Sequence, residues 1–237
     1  GEIFTGFKET ENGAEGIYTE ASMNDVVYGL YASEDFYDFI NDKSYKKDDL
    51  IAEININNGY GYITGLSYGH YYIKEIKYDE LYIPTDIIKV QFENDSSSII
   101  YEFVNKLKKG NIIVQKSDNE NPLSGAIINI SKENQYNINL VSNSDGYIKI
   151  NNIPYGTYYL QEKKAPEGYQ LDIEQKIIEL NTETIEYKFI NEKIIDEPSV
   201  EPEDPKVEEP PVEPEEPKVE EPPVEPEDPK VEEPPVE

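Results

Sequence analysis

The sequence predicts an all-β protein, two tandem β-sandwiches followed by an extended acidic tail, and three observations carry that expectation. Tyr68-Gly69-His70-Tyr71-Tyr72-Ile73-Lys74-Glu75 recurs 87 residues later as Tyr155-Gly156-Thr157-Tyr158-Tyr159-Leu160-Gln161-Glu162. Tyr101-Glu102-Phe103-Val104-Asn105 recurs 86 residues later as Tyr187-Lys188-Phe189-Ile190-Asn191. Repetition at a near-constant spacing exposes the building unit. The apolar segments are short and bounded by turn residues, and from Asp196 onward the composition changes to proline and glutamate. The expected regions are 1–108, 109–195 and 196–237.

In the first region, strands are expected at Val26–Tyr31, Gly61–Ile63, Tyr71–Ile76, Ile87–Phe92 and Ile99–Asn105, all rich in β-branched and aromatic residues. One short helical period is expected around Glu34–Asn41. Only 106–111 links this region to the next, which favours a semi-rigid rod. In the second region, strands are expected at Ile112–Lys116, Ala126–Ile130, Tyr147–Ile150, Tyr158–Lys163 and Thr184–Asn191. Asn121-Pro122, Ser144-Asp145-Gly146, Pro154-Tyr155-Gly156 and Pro166-Glu167-Gly168 separate them as turns. Short strands with regular turns predict a sandwich in each region.

The tail repeats a 12-residue unit from Glu201, Glu213 and Glu225, and holds 13 of the 17 prolines. Proline and like-charge repulsion both extend such a chain, to roughly 130 Å if it is polyproline II at ~3.1 Å per residue. Pro202-Glu203-Asp204-Pro205-Lys206 has the spacing of a PxxP ligand, but its acids outnumber the lysine, so a stiff spacer is the better reading.

The formal charge is −29, and all 21 basic residues are lysine. Without arginine for bidentate phosphate contacts and with this acidity, nucleic acid and anionic membranes are poor partners. No apolar run reaches spanning length. Gly1 opens no signal peptide and the chain stops inside a tail repeat, so a piece of a longer protein is expected. Cysteine is absent, so stability in a secreted setting must come from something other than disulfides.

Strand alternation places three polar residue types on faces that otherwise look like core. Glu162 shares a face with Leu160 and Tyr158, and Glu75 with Ile73 and Tyr71. Lys116 follows Ile112 and Val114, Asn191 follows Phe189, and Asn105 follows Phe103. Lys8 follows Phe4 and Gly6, a weaker apolar context. Such groups are costly in a core unless they satisfy one another. Desolvation disfavours charge on both lysine and glutamate, and a neutral amine is a nucleophile. Held against an asparagine side-chain carbonyl, it can attack, expel ammonia and leave a Lys–Asn amide, with the glutamate moving protons. A hydrogen-bonded triad that never reacts, or a lysine reaching solvent at a strand end, is the structural alternative.

The only histidine, His70, matches Thr157 in the other copy and reads as an ordinary strand residue. Asp118–Asn121 and Asn143–Gly146 are oxygen-rich but lack a full calcium-loop cadence, so turn chemistry is favoured. No metal or cofactor is expected.

Lys116-Ser117-Asp118, Asn121-Pro122-Leu123-Ser124-Gly125-Ala126 and Pro154 through Tyr169 resemble a CnaB-type (collagen-adhesin B-repeat, SpaA-like) domain of Gram-positive surface proteins. The resemblance implies a prealbumin-like, inverse immunoglobulin sandwich with an intramolecular isopeptide bond joining Lys116 and Asn191, and Glu162 as catalytic acid. By the same resemblance Lys8, Asn105 and Glu75 would take these roles in the first region. That region departs from the pattern: Met23–Tyr31 replaces the Pro-Leu-x-Gly-Ala turn, Lys77–Tyr82 replaces Ala-Pro-x-Gly-Tyr, and insertions surround 12–23 and 35–49.

The expected function is a structural stalk segment of a cell-surface adhesin or pilus-type protein, extracellular and cell-wall-attached, with self-crosslinking as a single turnover. The alternative is a ligand-binding module using the first region, which holds 13 of the 20 tyrosines. An apolar patch on 12–23 or 35–49 would favour that alternative. A pilin shaft subunit would need a sortase-reactive lysine, and nothing singles one out. Expected partners are a host extracellular-matrix protein or other pilus subunits, with the isolated chain a monomer.

Overall fold

The computed structural model describes residues 1–93, 98–132 and 135–195, and they fall within one unit, Gly1–Ile195. The tail repeats and their PxxP spacing lie outside the described residues. Every regular element among the described residues is a strand. No helix among them is long and apolar enough to cross a membrane.

In chain order the first strands are β1 (Glu2–Thr10), β2 (Gly13–Glu20), β3 (Val27–Ala32), β4 (Phe36–Asp38), β5 (Lys43–Tyr45) and β6 (Leu50–Asn55). They continue as β7 (Gly69–Lys77), β8 (Tyr82–Ile83), β9 (Ile88–Phe92) and β10 (Lys106–Leu107). The second region contributes β11 (Lys109–Ser117), β12 (Ile127–Lys132), β13 (Tyr136–Val141) and β14 (Tyr147–Pro154). It ends with β15 (Gly156–Lys164), β16 (Lys176–Leu180) and β17 (Thr184–Ile190).

Two sheets form the second sandwich, ordered β1-β2-β14-β11-β17 and β13-β12-β15-β16. Alternation along β11 turns Gly110, Ile112, Val114 and Lys116 inward, and along β15 turns Tyr158, Leu160 and Glu162 inward. The resulting core is almost entirely aliphatic, with Ile112, Ile128, Ile130, Ile148 and Ile150 fully buried beside Tyr158 and Phe189. The first region forms the sheet β6-β3-β7-β9 over smaller clusters, one around Tyr28 and one around Tyr71.

The β1–β2 hairpin belongs by sequence to the first region, yet it ladders onto the second. β2 runs parallel to β14, with Gly13, Ala14 and Glu15 opposite Lys149, Ile150 and Asn151. Ala14 enters the second core and Phe7 packs against it. A shared ladder therefore joins the regions in addition to the short connection at 106–111.

Other differences have physical causes. Around Glu34–Asn41 the structure has the two-stranded β4–β5 ribbon, not a helical turn. Buried Asp38 accepts hydrogen bonds there from the Ile40 and Asn41 amides and from Ser67 Oγ, which satisfies a turn where a helix would need its own ladder. Gly61–Ile63 and Ile99–Asn105, expected as strands, carry no ladder. Strands β2, β4, β5, β6, β8, β10, β13 and β16 were not anticipated, being polar, short or aromatic-poor.

Gly13 has φ +148°, and a Cβ there would stand 1.9 Å from the Lys149 carbonyl oxygen. Gly13→Ala is expected to detach the hairpin and lower stability by about 1–3 kcal/mol. Hydrogen exchange at the Lys149 amide, which donates to Asn12 O at 2.9 Å, should speed up. An unchanged rate there would show that the hairpin does not depend on this close approach.

Candidate functional site: a buried lysine, glutamate and asparagine

Lys116 comes from the penultimate position of β11, where the alternation that buries Ile112 and Val114 buries it too. Glu162 faces it from β15 in the opposite sheet. A bulge between Ile127 and Ile128 lets Glu162 pair with Ile128 and Lys164 with Ile127, so Glu162 turns inward while Lys163 and Lys164 both face solvent. Bulges commonly re-aim a side chain in this way. Asn191 follows β17 directly, and its amide donates to Ser117 O at 3.1 Å, holding it beside the end of β11.

The three side chains meet in the interior. Lys116 is 0%, Glu162 2% and Asn191 3% exposed. Lys116 Nζ lies 2.7 Å from Glu162 Oε1, and 4.9 Å from the centre of the Phe189 ring. The amine and carboxylate touch without hydrogen-bond alignment, since both atoms lack a hydrogen-bond partner. Glu162 Oε2 accepts from Asn191 Nδ2 at 2.8 Å and from the Asp172 amide at 2.9 Å. Asn191 Nδ2 also donates to Gln170 O at 2.5 Å, while Asn191 Oδ1 has no partner. The buried atoms left without hydrogen bonds, among the described residues, are thus Lys116 Nζ, Glu162 Oε1 and Asn191 Oδ1.

Burial pushes the Lys116 amine below the ordinary lysine range, and the adjacent Glu162 carboxylate opposes that shift. Loss of water dominates because no solvent reaches the amine. Glu162 thus touches both partners, the less basic Lys116 amine through Oε1 and the Asn191 amide through Oε2.

The repeat reproduces half of this arrangement in the first region. A bulge between Val27 and Tyr28 pairs Tyr28 with Glu75, as Ile128 pairs with Glu162. Asn105 Nδ2 donates to Glu75 Oε1 at 2.6 Å and the Thr85 amide to Glu75 Oε2 at 2.7 Å. Both residues are buried, at 4% and 3% exposure. Each repeat also ties a buried tyrosine to the carbonyl four residues before it, Tyr71 to Ser67 and Tyr158 to Pro154.

Lys8 is not brought to this pair. A register shift between Phe4 and Gly6 and the exposed end of the hairpin turn it outward, where it meets Glu15 at 3.4 Å. No lysine pairs with Glu75 among the described residues.

The backbone partners Gln170 O, Asp172 N and Thr85 N were invisible to side-chain reasoning, since any residue type supplies them. The sequence clue was spacing alone: both amides lie ten residues beyond the repeated glutamate. Asp118 is committed to its turn, accepting from the Glu120 and Asn121 amides and from Tyr169. Those bonds hold its carboxyl well below the usual range. His70 lies on the exposed side of β7.

Residues 110–193 match the family model of the SpaA prealbumin-like fold domain. The second region is a SpaA-type domain. Among solved structures, the TIE protein of Bacillus anthracis aligns with 74% of this chain and 32% of its own, at 20% identity and TM-score 0.58. This chain therefore spans about a third of that protein's length. The C-terminal fragment of pilus adhesin SpaC from Lactobacillus rhamnosus GG aligns over 73% of this chain and 92% of its own, at 15% identity and TM-score 0.51. At these identities the similarity concerns fold alone, an all-β architecture. No curated protein matches the chain.

The pH dependence of an unreacted SpaA-type domain follows from Lys116. In Glu162→Ala the amine loses its counter-charge and stays buried, so the unfolded chain binds more protons than the folded one. Stability conferred on this variant should rise with pH up to the lysine range near 10.4. Measured by urea midpoints, the deficit of Glu162→Ala against Glu162→Ala/Lys116→Met should shrink between about pH 7 and pH 10. A pH-independent difference would show that Lys116 is not held in a water-poor site.

Proposed function

We propose that this chain is a stalk segment of a Gram-positive cell-surface protein whose SpaA-type domain locks itself with an amide between Lys116 and Asn191. The observation that carries the reading is the meeting of Lys116, Glu162 and Asn191 in a core with no solvent. The resemblance of the surrounding motifs supports it. The domain organisation proposed is 1–108, 109–195 and an acidic spacer at 196–237.

The chemistry balances without a cofactor. Lys116 Nζ attacks Asn191 Cγ, the Cγ–Nδ2 bond breaks, and Nδ2 departs as ammonia. Glu162 takes the proton released by Nζ and delivers it to Nδ2, and is regenerated. The site acts once, so turnover is not part of its role.

The benefit is mechanical. β11 opens the domain, Asn191 closes it, and β11 and β17 run parallel and side by side. Force applied at the two ends would pass through the amide and leave the sandwich interior unloaded. The closed loop of about 75 residues would also add roughly 4 kcal/mol by the chain-entropy model used for disulfides. In a cysteine-free chain, this takes the part that disulfides play in other secreted proteins.

The intact mass should be one ammonia lower than the sequence mass, and Glu162→Ala should restore the full value. A wild-type mass equal to the sequence would overturn the reading. Retained ammonia loss in Glu162→Ala would remove Glu162 from its role.

A second reading, adhesion through the first region, is favoured by one feature. The β4–β5 hairpin presents Phe39 and Ile40 at 84% and 62% exposure, on a turn that Asp38 fixes. Adjacent exposed apolar residues are the start of a contiguous patch, the kind of surface that marks contact sites. Beads coated with the chain should adhere to extracellular matrix, and Phe39→Ser/Ile40→Ser should lower that adhesion at least several-fold. Equal adhesion by the two proteins would confine the role to the stalk.

A further inference from the structure

The sheet β6-β3-β7-β9 turns Tyr71, Glu75 and Val90 inward and presents its other face to solvent. On that outer face Tyr31, Tyr72 and Lys89 stand side by side across β3, β7 and β9, and Lys74 lies two residues along from Tyr72. The matching row in the SpaA-type domain is Ser131, Tyr159 and Ile177, with Gln161 at the position of Lys74. The second tyrosine and both lysines therefore belong to the first region alone, and the shared fold does not call for them.

The tyrosine pair is held in place from several sides. A Cβ at Gly29 would stand 2.5 Å from Tyr31 Cε2, so a bare backbone there lets the Tyr31 ring lie against its own strand. Tyr31 stacks on Tyr72 with ring centroids 5.0 Å apart and planes within 7°. The Tyr72 hydroxyl donates to Asp48 Oδ1 at 3.2 Å. Asp48 in turn is tied to the end of β3, its amide donating to Ala32 O at 2.8 Å. Covering a sheet glycine with an aromatic ring stabilises the sheet, but that role needs only Tyr31 and leaves Tyr72 and the lysines unexplained.

Tyr72 lines a groove of about 690 Å³, within the size range of ligand sites. Lys47, Lys74 and Lys89 line it too, and all three are exposed. None of them has a carboxylate within ion-pair distance among the described residues, in a chain with 50 acids for 21 lysines. Nearby lysines are committed: Lys46 pairs with Asp35 at 2.8 Å, and Lys43 stands 4.5 Å over the Tyr45 ring. The carboxylates of the groove are engaged as well, Asp48 with Tyr72 and Glu34 facing His70 at 3.9 Å.

We propose that this groove binds a sulfated glycan, with a pyranose ring packed on Tyr72 and sulfates meeting Lys47, Lys74 and Lys89. The C–H face of a sugar ring is apolar and packs on an aromatic face, which an anion without rings cannot do. Unpaired amines on three sides of one ring call for several anionic groups in a short stretch of ligand, a density that sulfation supplies. Lysine meets such groups as a point charge, so the bidentate geometry of arginine is not required. The net charge of −29 opposes polyanions at long range, but physiological salt screens it beyond about 8 Å, so the lysines at the groove decide. The site uses neither the Lys116–Asn191 pair nor Phe39 and Ile40, so its failure leaves both earlier readings standing.

The test titrates a heparin oligosaccharide into the full 237-residue chain at physiological salt by calorimetry. Saturable binding is expected. Lys74→Gln/Lys89→Gln should weaken it about ten-fold or more. Tyr72→Ala, which leaves the charge unchanged, should weaken it several-fold. Lys163→Gln/Lys188→Gln, on the SpaA-type domain, should bind as wild type does. Circular dichroism checks the sheet in each variant, and the exposed lysine pair carries the test if Tyr72→Ala loses it. No binding by the wild-type chain, wild-type affinity in Lys74→Gln/Lys89→Gln, or an equal loss in Lys163→Gln/Lys188→Gln would overturn the inference. Wild-type affinity in a folded Tyr72→Ala, or equally tight binding of inorganic polyphosphate, would overturn it by showing that a ringless anion suffices. Equal affinity for a fully desulfated heparin oligosaccharide would overturn it by removing the need for sulfate.

Discussion

A primary amine fully buried at the end of a sandwich core is the constraint on which the rest of this architecture turns. Moving an ammonium from water into such a site costs several kcal/mol even after relaxation. That cost is met only if the amine loses its proton, gains a close counter-charge, or is consumed. Lys116 has a carboxylate oxygen at 2.7 Å and a ring face nearby, but no aligned hydrogen bond. The Glu162 carboxylate and the lowered basicity of the amine both offset that cost. The proposed reaction with Asn191 would remove the amine's charge permanently.

Secondary structure serves that constraint at each step. Alternation along β11 delivers Lys116 inward at the end of an aliphatic run. The β12–β15 bulge breaks the alternation of β15 just after Glu162, so that two lysines can follow it on the solvent side. Parallel pairing of β11 with β17 brings the two ends of the domain's chain together, which no hairpin could do. The first region repeats the bulge, the glutamate, the asparagine and the backbone donor ten residues on.

The sequence made some of this legible and hid the rest for identifiable reasons. Glu162, Lys116 and Asn191 could be placed together because strand parity and a twice-written motif constrain side-chain direction. Glu75 and Asn105 followed from the same repeat. Lys8 could not be placed correctly, since parity gives a face within a strand but not the sheet that strand joins. The β1–β2 hairpin crosses to β14 through the close approach at Gly13, a tertiary event with no local signature. The β4–β5 ribbon carried a short helical period that buried Asp38 overrides by capping a turn. Gly61–Ile63 and Ile99–Asn105 have strand composition and no ladder, because pairing requires a neighbour that composition cannot supply.

The central claim is that the buried triad reacts, and locating the bond tests it most directly. Proteolysis of the unfolded wild-type chain followed by tandem mass spectrometry should yield a branched peptide joining the β11 segment through Lys116 to the segment containing Asn191. Recovery of two separate linear peptides, with Lys116 free and the Asn191 side-chain amide intact, would contradict the account.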